Sequence, residues 1–253
     1  MKRWAFALAV SIVVVAGAPA QDAKTFLKQV QQKFNQAKTM DMTLDITVEL
    51  SMGGNSQRQQ VKAQTAIQRP NRFQAKINTG MGEQQLFSDG TTMFVYVPSA
   101  KQYMKQPAPK DFKGSNIAAL GPVGLVLGIA DQNLDDPNAK RTFAFKGNQT
   151  IAGKQTRIVE VVDNEGNQRT VVRLFIGAQD QLIYRVEATA TVQSAQSQGG
   201  QQSSPITQKL TADIRYNSFD KPIPASRFRF TPPKDAKEMQ APQQGSGGGA
   251  PRR

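Results

Sequence analysis

Cysteine and histidine are missing altogether from the 253-residue chain. Without cysteine there is no thiolate nucleophile, no zinc-finger ligand set and no disulfide framework, so stability must come from a hydrophobic core. Without histidine, Ser-His-Asp triads, imidazole general bases and His metal ligands are excluded. Tryptophan occurs once, at Trp4. No G-x-x-x-x-G-K phosphate loop and no paired-glycine dinucleotide motif follows a strand. Residues 131–136 offer three calcium-type ligands but lack the glycine at the sixth place and the closing glutamate, and read as a polar helix exit. Hydrolysis could only rest on carboxylates such as Glu160 and Glu187, and nothing in their spacing sets them opposite each other. The reading is non-enzymatic, with no catalytic residue, no metal and no cofactor.

Acid is also scarce. Asp and Glu number 19 against 32 Lys and Arg, a formal charge of +13. Such a balance suits anionic surfaces. The charges are scattered, however, and no basic stripe carries stacked aromatics, so nucleic acid is not an expected partner. The first twenty residues explain part of the bias. Lys2 and Arg3 precede an apolar run from Trp4 to Ala16, and Ala18-Pro19-Ala20 is a small-x-small cleavage signal. The run is short for a membrane span and reads as a cleaved export leader, residues 1–20, which places the mature protein in a periplasm as a free monomer. Residues 240–253, with Gly247-Gly248-Gly249, read as a floppy Gly/Pro/Gln tail. Between the two lies one domain, 21–239, long enough for a sizeable core.

Within that domain the dominant signal is strict alternation. Asp22 is a candidate N-cap for a helix carrying Phe26, Leu27, Val30, Phe34 and Ala37 on one stripe. Met40, Met42, Leu44, Ile46, Val48 and Leu50 then alternate with polar residues, the pattern of a half-buried strand. Turns at Gly53-Gly54-Asn55 and Asp89-Gly90 separate further strands. At 92–98 both parities are apolar, Met93, Val95 and Val97 on one and Phe94 and Tyr96 on the other, so one face is expected on a helix and the other along a cavity. Residues 115–129 change pattern: Ile117, Leu120, Leu125 and Leu127 fall among glycines and a proline, an apolar but poorly stabilised helix suited to a mobile lid. A second run of strands extends from Phe143 to Tyr216, and Arg227-Phe228-Arg229-Phe230 is expected to close the sheet. The fold class is mainly β (α+β): a single strongly curved antiparallel sheet forming an incomplete β-barrel, covered by the N-terminal helix and a central helical lid.

One position breaks the alternation. Stepping by two, Val61, Ala63, Thr65 and Ile67 lead to Arg69, and then to Phe73, Ala75 and Ile77 if Pro70 does not reset the pairing. Arg69 is therefore predicted to face inward among apolar side chains. An unpaired buried guanidinium costs several kcal/mol, roughly, so it must find carbonyls or a water-filled space.

Arg69-Pro70-Asn71-Arg72-Phe73, then Ser88-Asp89-Gly90 with Phe94-Val95-Tyr96-Val97-Pro98, then Phe228-Arg229-Phe230-Thr231-Pro232-Pro233 resemble the LolA family of periplasmic outer-membrane lipoprotein carriers. With the leader and first helix, the similarity covers most of the mature chain. It implies an incomplete barrel whose cavity takes lipoprotein acyl chains, or another lipid, and passes them between inner-membrane and outer-membrane receptors. In carriers of this type the arginine of the first motif holds the lid shut through carbonyls, a role that falls on Arg69. Phe73 would lie at the cavity, with Ile67, Ile77, Met93 and Val95 around it and Ile117, Leu120, Leu125 and Leu127 in the lid. Proteins with this fold also include the envelope-stress regulator RseB, so a periplasmic sensor is the alternative reading.

Overall fold

Period-two alternation organises nearly every element in the computed structural model, which describes residues 22–112, 124, 128, 132–192 and 205–239. These contain the helix α1 (Ala23–Gln36) and a twelve-stranded sheet. In chain order the strands are β1 (Thr39–Met52), β2 (Asn55–Gln68), β3 (Arg72–Thr79), β4 (Gly82–Asp89), β5 (Thr92–Val97), β6 (Gln102–Pro107), β7 (Arg141–Ile151), β8 (Lys154–Glu165), β9 (Gln168–Gly177), β10 (Ile183–Val192), β11 (Ile206–Phe219) and β12 (Lys237–Glu238). In space they run β12-β6-β5-β4-β3-β2-β1-β11-β10-β9-β8-β7. Two antiparallel meanders, β2 to β6 and β7 to β11, thus flank β1, and β7 and β12 are not neighbours, so the sheet stays open.

The concave face is one continuous apolar surface because the register keeps like with like. Phe145, Val159, Leu174, Val186, Ala212, Ile46 and Val61 stand side by side across β7, β8, β9, β10, β11, β1 and β2. A one-residue slip in any strand would turn its share of this row to the outside. Asp22 caps α1 by accepting from the Thr25 N–H at 2.8 Å. The helix lays Phe26, Leu27, Val30 and Phe34 into the sheet, all buried. Phe26 packs 5.8 Å from Phe145, and Phe34 lies 5.5 Å from Phe219, so α1 spans the hollow between β7 and the end of β11. Each fully buried side chain of this kind contributes about 1.5–3 kcal/mol.

Three expectations need correction or placing. Arg69-Pro70-Asn71 is the turn between β2 and β3 and not a strand, with Ile67 directly opposite Phe73. Residues 227–230 do not form a sheet strand either. Ala225–Phe228 is a 3-10 turn, and the segment beyond it crosses the outer face until β12 pairs in parallel with β6. Prolines 222, 224, 232 and 233 deny that segment the donors a central strand requires. On that outer face Phe94 and Tyr96 sit under Phe230, whose ring lies 5.2 Å from Phe87, 5.2 Å from Phe94, 5.5 Å from Tyr96 and 5.7 Å from Tyr103. The lid stretch, 115–129, lies outside the described residues except for Gly124 and Gly128, both helical in backbone.

Candidate functional site

A helix ends with carbonyls that have no partner within it. At the C-terminus of α1 a cation meets them: Arg69 Nε donates to Ala37 O at 3.2 Å and Nη2 to Phe34 O at 3.3 Å. The positive charge also sits at the negative end of the helix dipole. The Arg69 main-chain N–H donates to Lys38 O at 2.8 Å, and the Lys38 N–H to Asp220 Oδ1 at 2.9 Å, which ties the turn, the helix exit and the end of β11 together. Among the described residues, α1 supplies carbonyl acceptors to Arg69, while the lid stretch expected to do so lies outside them.

The two motifs read separately along the chain are one clasp in space. Asn71 Nδ2 donates to Gly90 O at 2.8 Å and to Pro109 O at 2.9 Å, and Ser88 Oγ donates to Asn71 O at 2.7 Å. Gly90 has φ +99°, and an added Cβ would lie 3.2 Å from Asn71 Oδ1, so both backbone and space call for glycine. Asp89 accepts from the Thr91 and Thr92 N–H groups, each at 2.8 Å. Those backbone bonds hold its carboxyl below the usual carboxylate range.

Inward of this clasp the predicted cavity residues come together. Ile67, Phe73, Ile77 and Met93 are buried in the core cluster and Val95 packs half-buried against it. The Phe73 ring meets Phe112 edge-on at 5.7 Å. Ile117, Leu120, Leu125 and Leu127 lie outside the described residues.

At the opposite end of the sheet lies a feature the sequence reading missed. A cleft of about 1030 Å³ opens there, floored by Val48, Leu50 and Met81 and walled by Gln57, Gln59, Arg58 and Lys62. None of the six described predicted residues lines it. Val48 and Leu50 continue the row that begins at Met42, Leu44 and Ile46, so the floor of the cleft is the outer margin of the concave core. Leu50 is 44% exposed, Met52 59% and Met81 88%. A signal was present: apolar alternation in β2 begins only at Val61, whereas in β1 it persists to Met52. The first strand carries grease past the point where its partner supplies any.

Glu160 stands on the outer face, bridged by Lys146 at 3.1 Å and Arg173 at 2.9 Å. Burial pushes its carboxyl up, but the Arg173 and Lys146 hydrogen bonds outweigh it and hold the group low. Arg173 stands between it and Glu187 in the register, so the two glutamates do not form a facing acid/base pair.

A family model described as "Predicted periplasmic protein (DUF2092)" matches residues 23–241, the clasp, the concave sheet and the outer strap together. The chain belongs to the DUF2092 family. This DUF2092 protein is periplasmic, and no described helix is long and apolar enough to cross a membrane. It is 20% identical over 230 residues to the uncharacterized protein MJ0687 of Methanocaldococcus jannaschii, spanning 90% of this chain but 57% of that protein. Among solved structures it is similar to LprF from Mycobacterium bovis, at 12% identity and TM-score 0.44, over 85% of this chain and 97% of that one. It is also similar to the LolA superfamily protein NE2245 from Nitrosomonas europaea, at 11% identity and TM-score 0.28, over 83% and 99%. A third is the Pseudomonas aeruginosa MucA/MucB complex, at 12% identity and TM-score 0.37, over 78% and 57%.

Proposed function

We propose that this DUF2092 protein is a non-enzymatic periplasmic binding protein that carries an acyl chain, of a lipoprotein or another lipid, entered through the cleft at the far end of the sheet. One observation carries the reading: the cleft floor is an exposed continuation of the apolar concave row. Exposed leucine and methionine at the rim of an otherwise sealed core are costly in water unless something apolar covers them. The volume, about 1030 Å³, lies just above the range of about 300–1,000 Å³ that small-ligand pockets occupy. Burying a chain contributes about 0.8 kcal/mol per CH₂, so even part of an acyl tail held over Val48 and Leu50 binds measurably. In this reading Arg69, holding α1 at the closed end, keeps the hollow from spreading, and the 115–129 stretch acts as the lid.

Lipids extracted from protein purified out of a periplasm, identified by mass spectrometry, provide the direct test. A fluorescent acyl probe should bind the delipidated protein and lose about tenfold in affinity in Leu50→Asp, the cost of roughly two methylenes. Absence of both a co-purifying lipid and probe binding would sink the proposal.

A further inference from the structure

The same end of the molecule holds a second unsatisfied surface, of a different chemistry. β2 outruns β3: the last pair between them is Val61 with Thr79, whereas β2 continues alongside β1 as far as Asn55 opposite Met52. Over Asn55–Gln60, then, one edge of β2 has no strand partner among the described residues. An unpaired edge is a row of main-chain donors and acceptors that templates another strand, and proteins normally blunt such edges with proline, a bulge or charge, of which this one carries only Arg58. This edge has no proline, its register with β1 is continuous, and Gln57 and Gln59 share the inward parity of Leu50 and Val48.

The cleft runs beside this edge. Among the described residues two cations, Arg58 and Lys62, line it and no carboxylate does. Arg58 reaches Glu49 only at 3.7 Å and is 61% exposed. Six residues of extended chain span about 20 Å, enough for an added strand of ordinary length.

We propose that the Asn55–Gln60 edge is a peptide-docking site that takes an acidic, extended segment as an added strand. Main-chain groups along the edge supply the pairing. Side chains of the incoming strand alternate, so those on the inner face meet Leu50 and Met81 and those on the outer face meet Arg58 and Lys62. The fitting sequence is therefore apolar residues alternating with Asp or Glu. The proposal shares the cleft with the lipid reading but rests on the strand edge, and either can fail without the other.

Hydrogen exchange of the full chain with synthetic eight-residue peptides tests it. An alternating Val/Glu peptide should slow exchange of the 55–60 amides by about tenfold, an effect weakened by added salt. The same peptide with alternate N-methylated residues, which cannot pair, and a Val/Lys peptide should leave them unchanged. The double variant Arg58→Gln, Lys62→Gln should lose most of the effect with little change in melting temperature, since both side chains are exposed and no like-charge pair is created opposite Glu49 or Asp45. Equal protection by the N-methylated peptide overturns the proposal, as does no protection at 55–60. Protection by anionic vesicles but not by peptide overturns it too, since the surface would then be one for membranes. A palmitoylated copy of the peptide separates the two readings: if the acyl group adds no affinity, the lipid reading fails and the strand reading stands.

Discussion

Phe73 and Phe112 meet edge to face with ring centroids 5.7 Å apart and planes at 73°. Phe73 is fixed by the β3 ladder, so the contact pins the chain after β6 to the concave face just before residue 113. Phe112 is 2% exposed. Replacement by alanine leaves a ring-sized void and should cost about 3–5 kcal/mol in urea unfolding, whereas Phe112→Leu should cost less than half of that.

Arg69→Leu removes two donors from the last turn of α1. The expected loss is about 1–3 kcal/mol, because the Phe34 and Ala37 carbonyls are left half-buried with fewer partners. Hydrogen exchange should localise the loosening to the C-terminal turn of α1 and to Lys38. Unchanged protection there would show that the guanidinium is dispensable to the helix exit.

Phe230→Ala empties the box of four rings on the outer face. A stability loss of about 1–3 kcal/mol is expected, since the ring is half-buried and gains from each aromatic neighbour. Limited proteolysis should then cut the strap between 229 and 237. The Lys101–Asp235 and Lys105–Glu238 ion pairs, at 2.8 Å each, are too exposed to hold it alone.

Acid should destabilise the clasp. Asp89 has its folded-state pKa depressed by backbone N–H bonds, so the stability it contributes is present above the unfolded value and lost as pH falls through the carboxylate range. Melting temperatures recorded from about pH 7 to about pH 3 should fall less steeply in Asp89→Asn than in the parent. The variant itself should be less stable at neutral pH.

Alkali should act on the opposite corner. Tyr216 is half-buried beside Phe34 and Phe219, and desolvation drives its pKa up, with Tyr184 and Asp180 adding to the rise. A raised folded-state value means stability present below the unfolded pKa and lost above it, so unfolding should set in above about pH 10. Tyr216→Phe loses the 3.1 Å bond to Ile183 O, worth about 1 kcal/mol, yet should show the shallower alkaline slope.

Alternation made the concave face readable in advance, since Leu44 with Ile46, or Phe73 with Ile77, can face the core only one way. The path of Arg227-Phe228-Arg229-Phe230 was not readable: alternating aromatics there looked like a strand, and only the surrounding prolines hinted at a strap. The parity of Phe94 and Tyr96 showed that both faces of β5 are covered, but not that Phe230 covers one of them. For Arg69 the need for carbonyls follows from its charge. Which carbonyls it meets depends on where α1 ends, a long-range fact that no local pattern contains. The cleft escaped notice because it is defined by strand lengths, β2 running past β3, and element boundaries are the least secure part of any reading from sequence.

The seam between β1 and β11 joins Met40 to Phe219, the first strand of the sheet to the last strand of the second meander. Each meander can zip from its own hairpins, but this seam must wait for nearly the whole domain to emerge. Closing so long a loop is entropically slow, and until it closes β1 stands with one side bare. The two halves of the domain therefore depend on one late-forming seam to bury the row from Met40 to Ile46 that they share.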